Sequence, residues 1–181
     1  IKYMNRKGII LSGGTATRLF PATSVVSKQL LPVFDKPMIY YPLSTLIEAG
    51  ISKILIISTP RDIELYKNLL GNGSRFGIDL DYVVQNEPKG IAQSLIIAEN
   101  FLENHPSALI LGDNIFYGGN LSAELLSANH DEKRCTIFAY HVQDPERYGV
   151  VEFNNEDTPI NIIEKPKKFI GNNAVTGLYF Y

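Results

Sequence analysis

The sequence has little cysteine, little net charge and no long apolar run, and each shortage excludes a class of protein. A single cysteine, Cys135, among 181 residues cannot form an internal disulfide, which fits a reducing compartment and predicts a cytoplasmic location. The formal net charge of −2 supplies no broad basic surface, which argues against a nucleic-acid polymer as partner. No apolar stretch approaches about 18 residues, so neither a membrane-spanning helix nor a membrane partner is predicted.

What the sequence does contain is a regular alternation of strand-like apolar runs and helical patterns. This alternation is typical of an α/β fold, in which helices cover both faces of a mostly parallel sheet. Strands are predicted at 8–11, 54–58, 80–85, 109–112 and 136–142, and helices at 38–49, 61–70, 91–102 and 121–128. After Tyr148 the pattern changes to short strands at 150–153, 160–164 and 174–181, a meander that we expect to extend the central sheet.

The main functional signal lies in residues 7–37. An apolar run ends in Gly13-Gly14, and Arg18 and Lys28 follow at a distance. A buried strand that opens into a glycine-rich turn presents free backbone N–H groups, which attract anions. A guanidinium fork and a point-like ammonium can complete a site for a polyphosphate.

Two common phosphate motifs are absent from this turn. A Walker A loop needs a second glycine followed by lysine, and no such pair follows Gly13. The spacing of residues 13–18 also differs from the G-x-G-x-x-G dinucleotide fingerprint. An ordinary strand-to-loop turn would explain the two glycines alone, but not the two cations that follow.

Polar residues also follow other predicted strands. Gln85 comes directly after the strand at 80–85, and Asp113 follows the apolar residues 108–111. Because ligands of open α/β sheets bind beyond the carboxyl ends of the strands, we expect these side chains and Gly13-Gly14 to face one cleft. Taken alone, Asp113 could equally be a turn residue that accepts backbone N–H bonds.

At these motifs the chain resembles a known family. Residues 12–19 (SGGTATRL) and 27–32 (SKQLLP) resemble the signature of the sugar-1-phosphate nucleotidylyltransferases. Four further segments narrow the resemblance to the thymidylyltransferases that act on glucose 1-phosphate. They are 35–43 (DKPMIYYPL), 112–118 (GDNIFYG), 144–151 (DPERYGVV) and 164–166 (EKP). It runs without a break from about Arg6 to Tyr181.

The resemblance implies a fold and a reaction. The fold is a Rossmann-like three-layer nucleotide-diphospho-sugar transferase core with a mostly parallel, mixed central sheet. The reaction transfers a thymidylyl group from dTTP to α-D-glucose 1-phosphate, and it gives dTDP-glucose and pyrophosphate. It is the first step of dTDP-L-rhamnose synthesis for bacterial cell-surface polysaccharide. The family uses Mg²⁺ and commonly forms homotetramers.

The resemblance also assigns roles to residues. Arg18, Lys28, Asp113 and Lys165 are the catalytic candidates, and Asp113 is the Mg²⁺ ligand. The candidates for nucleotide binding are Gly13, Gly14, Thr15, Ala16, Thr17, Arg18, Lys28, Gln29, Gln85, Gly90 and Asp113. The candidates for binding the sugar phosphate are Asn114, Tyr148, Gly149, Glu164, Lys165 and Val175. Thymine recognition falls to Gln85 and the backbone at Gly90, and Lys165 would hold the phosphate of the sugar.

The chain departs from the family pattern in three ways. Ser12 stands where the family usually has alanine, and Ala16 where it usually has glycine. Family members also continue beyond Tyr181 and supply a second metal-binding aspartate there, so the chain is expected to be an incomplete catalytic core. Within that single core, residues 6–130 are predicted to bind the nucleotide and residues 131–181 to bind the sugar.

Alternatives stay open at this point. The same scaffold could carry a uridylyl- or cytidylyltransferase, or the chain could bind a nucleotide with impaired catalysis. Lys28 and Lys165 could be ordinary surface lysines, which is the usual fate of lysine. Glu164 and Lys165 are not expected to pair, since adjacent residues on a strand point to opposite faces.

Overall fold

The computed structural model describes residues 6–14, 19–131 and 133–181. The chain divides into two compact units. The first contains the residues up to Cys135 together with Phe180 and Tyr181, and the second is Thr136–Tyr179. The boundary lies within a few residues of the division predicted at residue 131. The assignment of one substrate to each part stays a prediction.

The first unit carries a parallel sheet and its covering helices. The strands are β1 (Lys7–Ser12), β2 (Pro32–Val33), β3 (Lys36–Pro37), β4 (Lys53–Ser58), β5 (Asp79–Val84) and β6 (Ser107–Leu111). The helices are α1 (Tyr40–Glu48), α2 (Ile63–Leu70), α3 (Ala92–Ile97), α4 (Glu99–Leu102) and α5 (Leu121–His130). Strands β5, β4, β1 and β6 pair side by side in that order, and each pair is parallel. These elements confirm the predicted α/β pattern.

The inner strands of this sheet are buried on both faces. Consecutive residues Ile9 and Ile10 of β1 have no exposed surface, and the same is true of residues 54–57 of β4. Successive side chains of a strand point to opposite faces, so full burial of neighbours requires cover on both sides. The continuous apolar runs of the sequence therefore form the centre of the core.

The second unit is an antiparallel meander. It contains β7 (Thr136–His141), β8 (Gly149–Phe153), β9 (Pro159–Glu164) and most of β10 (Asn173–Phe180). Strand β8 pairs with β9 on one side and with β10 on the other, and β7 also pairs with β10. The short strands predicted after Tyr148 are thus confirmed.

One local prediction was wrong, and one element was missed. The single helix predicted at 91–102 is two helices, because at the fully buried Ala98 the backbone tightens to a ψ of −1° and ends α3. The β2–β3 hairpin was not predicted, since its strands have only two residues each.

Among the helices of the described residues, none is long and apolar enough to cross a membrane.

Candidate functional site

A pocket of about 240 Å³ lies in the first unit where parallel strands end. Its walls come from the residues at and beyond the ends of β1, β5 and β6, from the turn at Gln29 and from the segment before α3. They are Leu11, Gly13, Gly14, Gln29, Gln85, Pro88, Gly90, Ile91, Leu111 and Asp113. The carboxyl ends of these strands meet at one edge of the sheet, as the parallel pairing requires.

The glycine turn after β1 forms one wall of this pocket. A Cβ atom at Gly13 would lie 2.8 Å from Oε1 of Gln85, so any other residue at position 13 would displace the Gln85 amide. Gly14 has a φ of 103°, in the region that favours glycine. The next four predicted contacts, Thr15, Ala16, Thr17 and Arg18, lie outside the described residues.

An ion pair stands at the edge of the pocket. Lys28 begins a short 3₁₀ turn (Lys28–Leu30), and its Nζ lies 2.7 Å from Oδ2 of Asp113, which follows β6. The two side chains are 30% and 34% exposed, so the pair is half-buried. Their meeting across 85 positions of sequence shows that two of the predicted catalytic residues share one location.

A chain of buried hydroxyl groups supports Gln29 from behind the pocket wall. The Ser27 hydroxyl donates to Oε1 of Gln29, and the Tyr66 hydroxyl donates to Ser27 Oγ over 3.2 Å. Burial raises the pKa of Tyr66, so this hydroxyl stays protonated and remains a donor. This hydrogen bond holds Oε1 of Gln29 toward Ser27, and the amide nitrogen of Gln29 is a group that could donate to a ligand.

Asp113 could hold a divalent cation only if a bound substrate supplied further oxygen ligands. No group of three or more His, Cys, Asp or Glu side chains that could hold a metal occurs within 6–14, 19–131 and 133–181. Mg²⁺ commonly binds through one or two carboxylates and completes its shell with water and substrate phosphates. One carboxylate beside a pocket able to hold phosphates fits that arrangement.

In the second unit the predicted sugar contacts lie next to one another. Gly149 in β8 is paired with Glu164 in β9, and a Cβ at Gly149 would lie 3.1 Å from Oε2 of Glu164. The same Cβ position lies 3.9 Å from Cγ2 of Val175. The backbone N–H of Lys165 donates to the carbonyl of Tyr148 over 2.9 Å. A missing side chain at Gly149 therefore leaves open surface beside a carboxylate.

Lys165 corrects one expectation of the sequence analysis. Its Nζ lies 3.6 Å from Oε1 of Glu164, so the adjacent residues do form an ion pair. The reason is that β9 ends at Glu164 and Lys165 has a φ of 45°, which breaks the alternation of a strand. Both side chains are more than two-thirds exposed, so the pair contributes little stability.

The structure thus groups the predicted residues into two sets, one in each unit. Gly13, Gly14, Gln29, Gln85, Gly90 and Asp113 line the pocket of the first unit, and Lys28 joins them through Asp113. Asn114 follows Asp113 in that unit, and its N–H donates to the Leu111 carbonyl. The remaining sugar candidates lie in the second unit, and their approach to the pocket of the first unit stays a prediction.

Sequence reasoning missed the residues that hold the pocket side chains in place. Gln93 accepts a hydrogen bond from Gln85, and Ser27 and Tyr66 stand behind Gln29. Ser12 is fully buried, and its Oγ has no hydrogen-bond partner within the described ranges. The available signal was a glutamine in the first turn of α3, a few residues after the segment that follows β5.

Comparison with known proteins identifies the family of this chain. The Nucleotidyl transferase family model matches residues 7–181, and the chain therefore belongs to that family. Among curated relatives, it is 56% identical over 176 residues to the glucose-1-phosphate thymidylyltransferase of Xanthomonas campestris pv. campestris. It is 55% identical over 175 residues to the glucose-1-phosphate thymidylyltransferase of Neisseria meningitidis. Each alignment covers 97% of this chain, and the chain spans about 60% of the length of these relatives.

Solved structures give the same grouping. A Bacillus anthracis protein described as a glucose-1-phosphate thymidylyltransferase superposes with a TM-score of 0.90 at 40% identity. That superposition covers 97% of this chain and 71% of the other. A UDP-glucose pyrophosphorylase in complex with UDP-glucose superposes with a TM-score of 0.81 at 24% identity, over 98% of this chain and 76% of the other. The latter likeness concerns the fold alone.

Proposed function

We propose that this chain is the catalytic core of a glucose-1-phosphate thymidylyltransferase, which makes dTDP-glucose and pyrophosphate from dTTP and α-D-glucose 1-phosphate. The observation that carries the proposal is the pocket at the strand ends, where a glycine turn, two glutamines and the Lys28–Asp113 pair meet. The names of the relatives in Xanthomonas and Neisseria supply the choice of substrates.

The residues of the pocket suit an in-line attack of one phosphate on another. Both substrates are anions, and two unit charges at 4 Å repel by about 4 kcal/mol at an effective dielectric constant of 20. The chemistry needs positive charge and alignment more than a protein nucleophile. Lys28 offers the charge at the pocket, and we propose that Lys165 offers it to the phosphate of the sugar.

In this proposal each residue of the pocket contacts a different part of the nucleotide. The N–H groups of the glycine turn and Arg18 hold the triphosphate, Gln29 contacts the deoxyribose, and Gln85 with the Gly90 backbone holds thymine. Tyr148, Gly149, Glu164 and Val175 contact glucose, and the glucose hydroxyls donate hydrogen bonds to the Glu164 carboxylate. When Mg²⁺ is bound, it neutralises phosphate charge, and Asp113 is the residue that would hold it. The proposed location is the cytoplasm, because the sequence has one cysteine and the proposed substrates belong to central metabolism.

Pyrophosphate release tests the proposal. The chain is mixed with glucose 1-phosphate and, in separate reactions, dTTP, UTP or CTP in the presence of Mg²⁺. We expect release with dTTP above that with UTP or CTP. A clear preference for UTP or CTP would show that the chain belongs to a uridylyl- or cytidylyltransferase. Tight dTTP binding without pyrophosphate release would show that the chain binds the nucleotide but does not catalyse the transfer.

A further inference from the structure

Two glutamine side chains at the pocket are joined end to end. Gln85 follows β5 and is only 4% exposed, whereas Gln93 lies in α3 and is half-buried. Nε2 of Gln85 donates to Oε1 of Gln93 over 2.7 Å. The backbone N–H of Lys89 donates to the same Oε1 over 2.9 Å.

The Lys89 backbone fixes the polarity of this pair. A backbone N–H can only donate, so the Gln93 atom that it contacts is the carbonyl oxygen. That oxygen can only accept, and so the Gln85 atom facing it is the amide nitrogen. The carbonyl oxygen of Gln85 is therefore directed away from Gln93, and it lies 2.8 Å from the Cβ position at Gly13 in the pocket wall.

We propose that Gln93 is a positioning residue that sets base specificity, because it locks Gln85 with its acceptor oxygen toward the nucleobase. The inference rests on the proposed nucleotide site and adds the group that selects the base. An acceptor at this place complements the N3–H donor of thymine or uracil. It opposes cytosine, whose N3 is an acceptor and would leave two buried acceptors facing each other.

The lock matters because an amide is nearly symmetric in shape. Without the hydrogen bond to Gln93, the Gln85 amide could rotate by half a turn and present Nε2 to the base. Nε2 can donate to the N3 acceptor of cytosine, just as Oε1 can accept from the N3–H of thymine. Selection against cytosine therefore comes from a hydrogen bond made outside the pocket. Since uracil has the same N3–H, the pair does not distinguish dTTP from UTP.

Binding of dTTP and dCTP to two variants of Gln93 tests this inference. Gln93→Met removes the acceptor at similar volume, and Gln93→Glu keeps an acceptor oxygen at the same place. Dissociation constants are measured by titration calorimetry for the wild type and both variants. We expect Gln93→Met to lower the dTTP-over-dCTP preference by about five- to a hundredfold, the effect of an unpaired buried polar group. Gln93→Glu should retain the preference.

Each outcome bears on a different claim. A wild type that binds dTTP no better than dCTP would contradict the proposed function together with this inference. A wild type that prefers dTTP, with Gln93→Met retaining that preference, would overturn the inference and leave the function standing. Equal loss in Gln93→Met and Gln93→Glu would show that side-chain fit, and not the acceptor, sets the preference. If Gln93→Met melts early, Gln93→Leu repeats the comparison.

Discussion

At the scale of single residues, the side chains of the pocket are held by partners outside it. Gln85 is held by Gln93, Gln29 by Ser27, and Asp113 by Lys28. Sequence patterns pointed to Gln85, Asp113 and Lys28, and the family resemblance added Gln29; their roles in binding stay predictions. Neither source pointed to Gln93 or to a supporting role for Ser27, because a hydrogen bond between distant side chains leaves no periodic mark in the sequence.

The first prediction concerns Asp113. Asp113→Asn removes the charge that Mg²⁺ needs, so Mg²⁺ should no longer tighten dTTP binding, whereas in the wild type it should tighten it. Titrations of dTTP with and without Mg²⁺ measure the difference. Asp79→Asn is the control, since Asp79 is exposed at the start of β5, away from the pocket residues that follow its end. Unchanged Mg²⁺ dependence in Asp113→Asn would exclude this carboxylate as a ligand.

The second prediction concerns Ser27. Ser27→Ala leaves Tyr66 and the Gln29 carbonyl without their shared partner, and both groups are buried. We expect a loss of about 1–3 kcal/mol in the free energy of unfolding and weaker dTTP binding. Urea denaturation and dTTP titration measure the two effects. Ser24→Ala removes an exposed hydroxyl in the same segment and should change neither quantity. A stable Ser27→Ala with full dTTP affinity would disprove the support role.

At the scale of strands and helices, the parallel sheet was predictable because its inner strands are buried on both faces. Full burial selects unbroken apolar runs, which are visible in the sequence at β1, β4 and β6. The break between α3 and α4 was not predictable, since Ala98 is a good helix former and no glycine or proline marks the break. Hydrophobic pattern thus predicts the elements better than their ends.

The third prediction concerns the close approach of Ser12, the last residue of β1, and Gly112, which directly follows β6. A Cβ at Gly112 would overlap Oγ of Ser12, which already lacks a hydrogen-bond partner among the described residues. Ser12→Ala should raise the free energy of unfolding by about 1 kcal/mol, because it removes an unsatisfied buried hydroxyl.

Gly112→Ala completes this experiment. Alone, it should lower the free energy of unfolding by about 1–3 kcal/mol through overpacking, and less in the Ser12→Ala background. The double-mutant cycle, measured by urea denaturation, should give a coupling above about 0.5 kcal/mol. Additive effects would show that the two positions do not meet. A destabilised Ser12→Ala would show that its hydroxyl has a partner.

At the scale of the whole molecule, the chain carries two units and the proposed reaction needs both. The larger unit holds the proposed nucleotide pocket, and the smaller one holds Tyr148, Gly149, Glu164, Lys165 and Val175. The family match and the α/β fold were predictable from motifs and apolar pattern. The homotetramer, the assignment of sugar binding to 131–181 and the convergence of Lys165 and Arg18 on the pocket stay predictions.

The fourth prediction concerns the division of substrates between the units. Lys165→Ala should weaken glucose 1-phosphate binding by about ten- to a hundredfold, the effect of one charge-assisted hydrogen bond, and leave dTTP binding unchanged. Lys167→Ala, an exposed lysine two positions away, is the matched control. Calorimetric titration with each ligand separately measures both effects. Equal losses of affinity for the two ligands would show that Lys165 does not bind the sugar phosphate specifically.

The most direct test of the central claim is a crystal structure of this chain with dTTP and Mg²⁺. We expect thymine against Gln85 and Gly90, with the phosphates beside the Gly13-Gly14 turn and next to Lys28 and Asp113. Density for the nucleotide at any other place, with the pocket at the ends of β1, β5 and β6 holding solvent alone, would contradict this expectation.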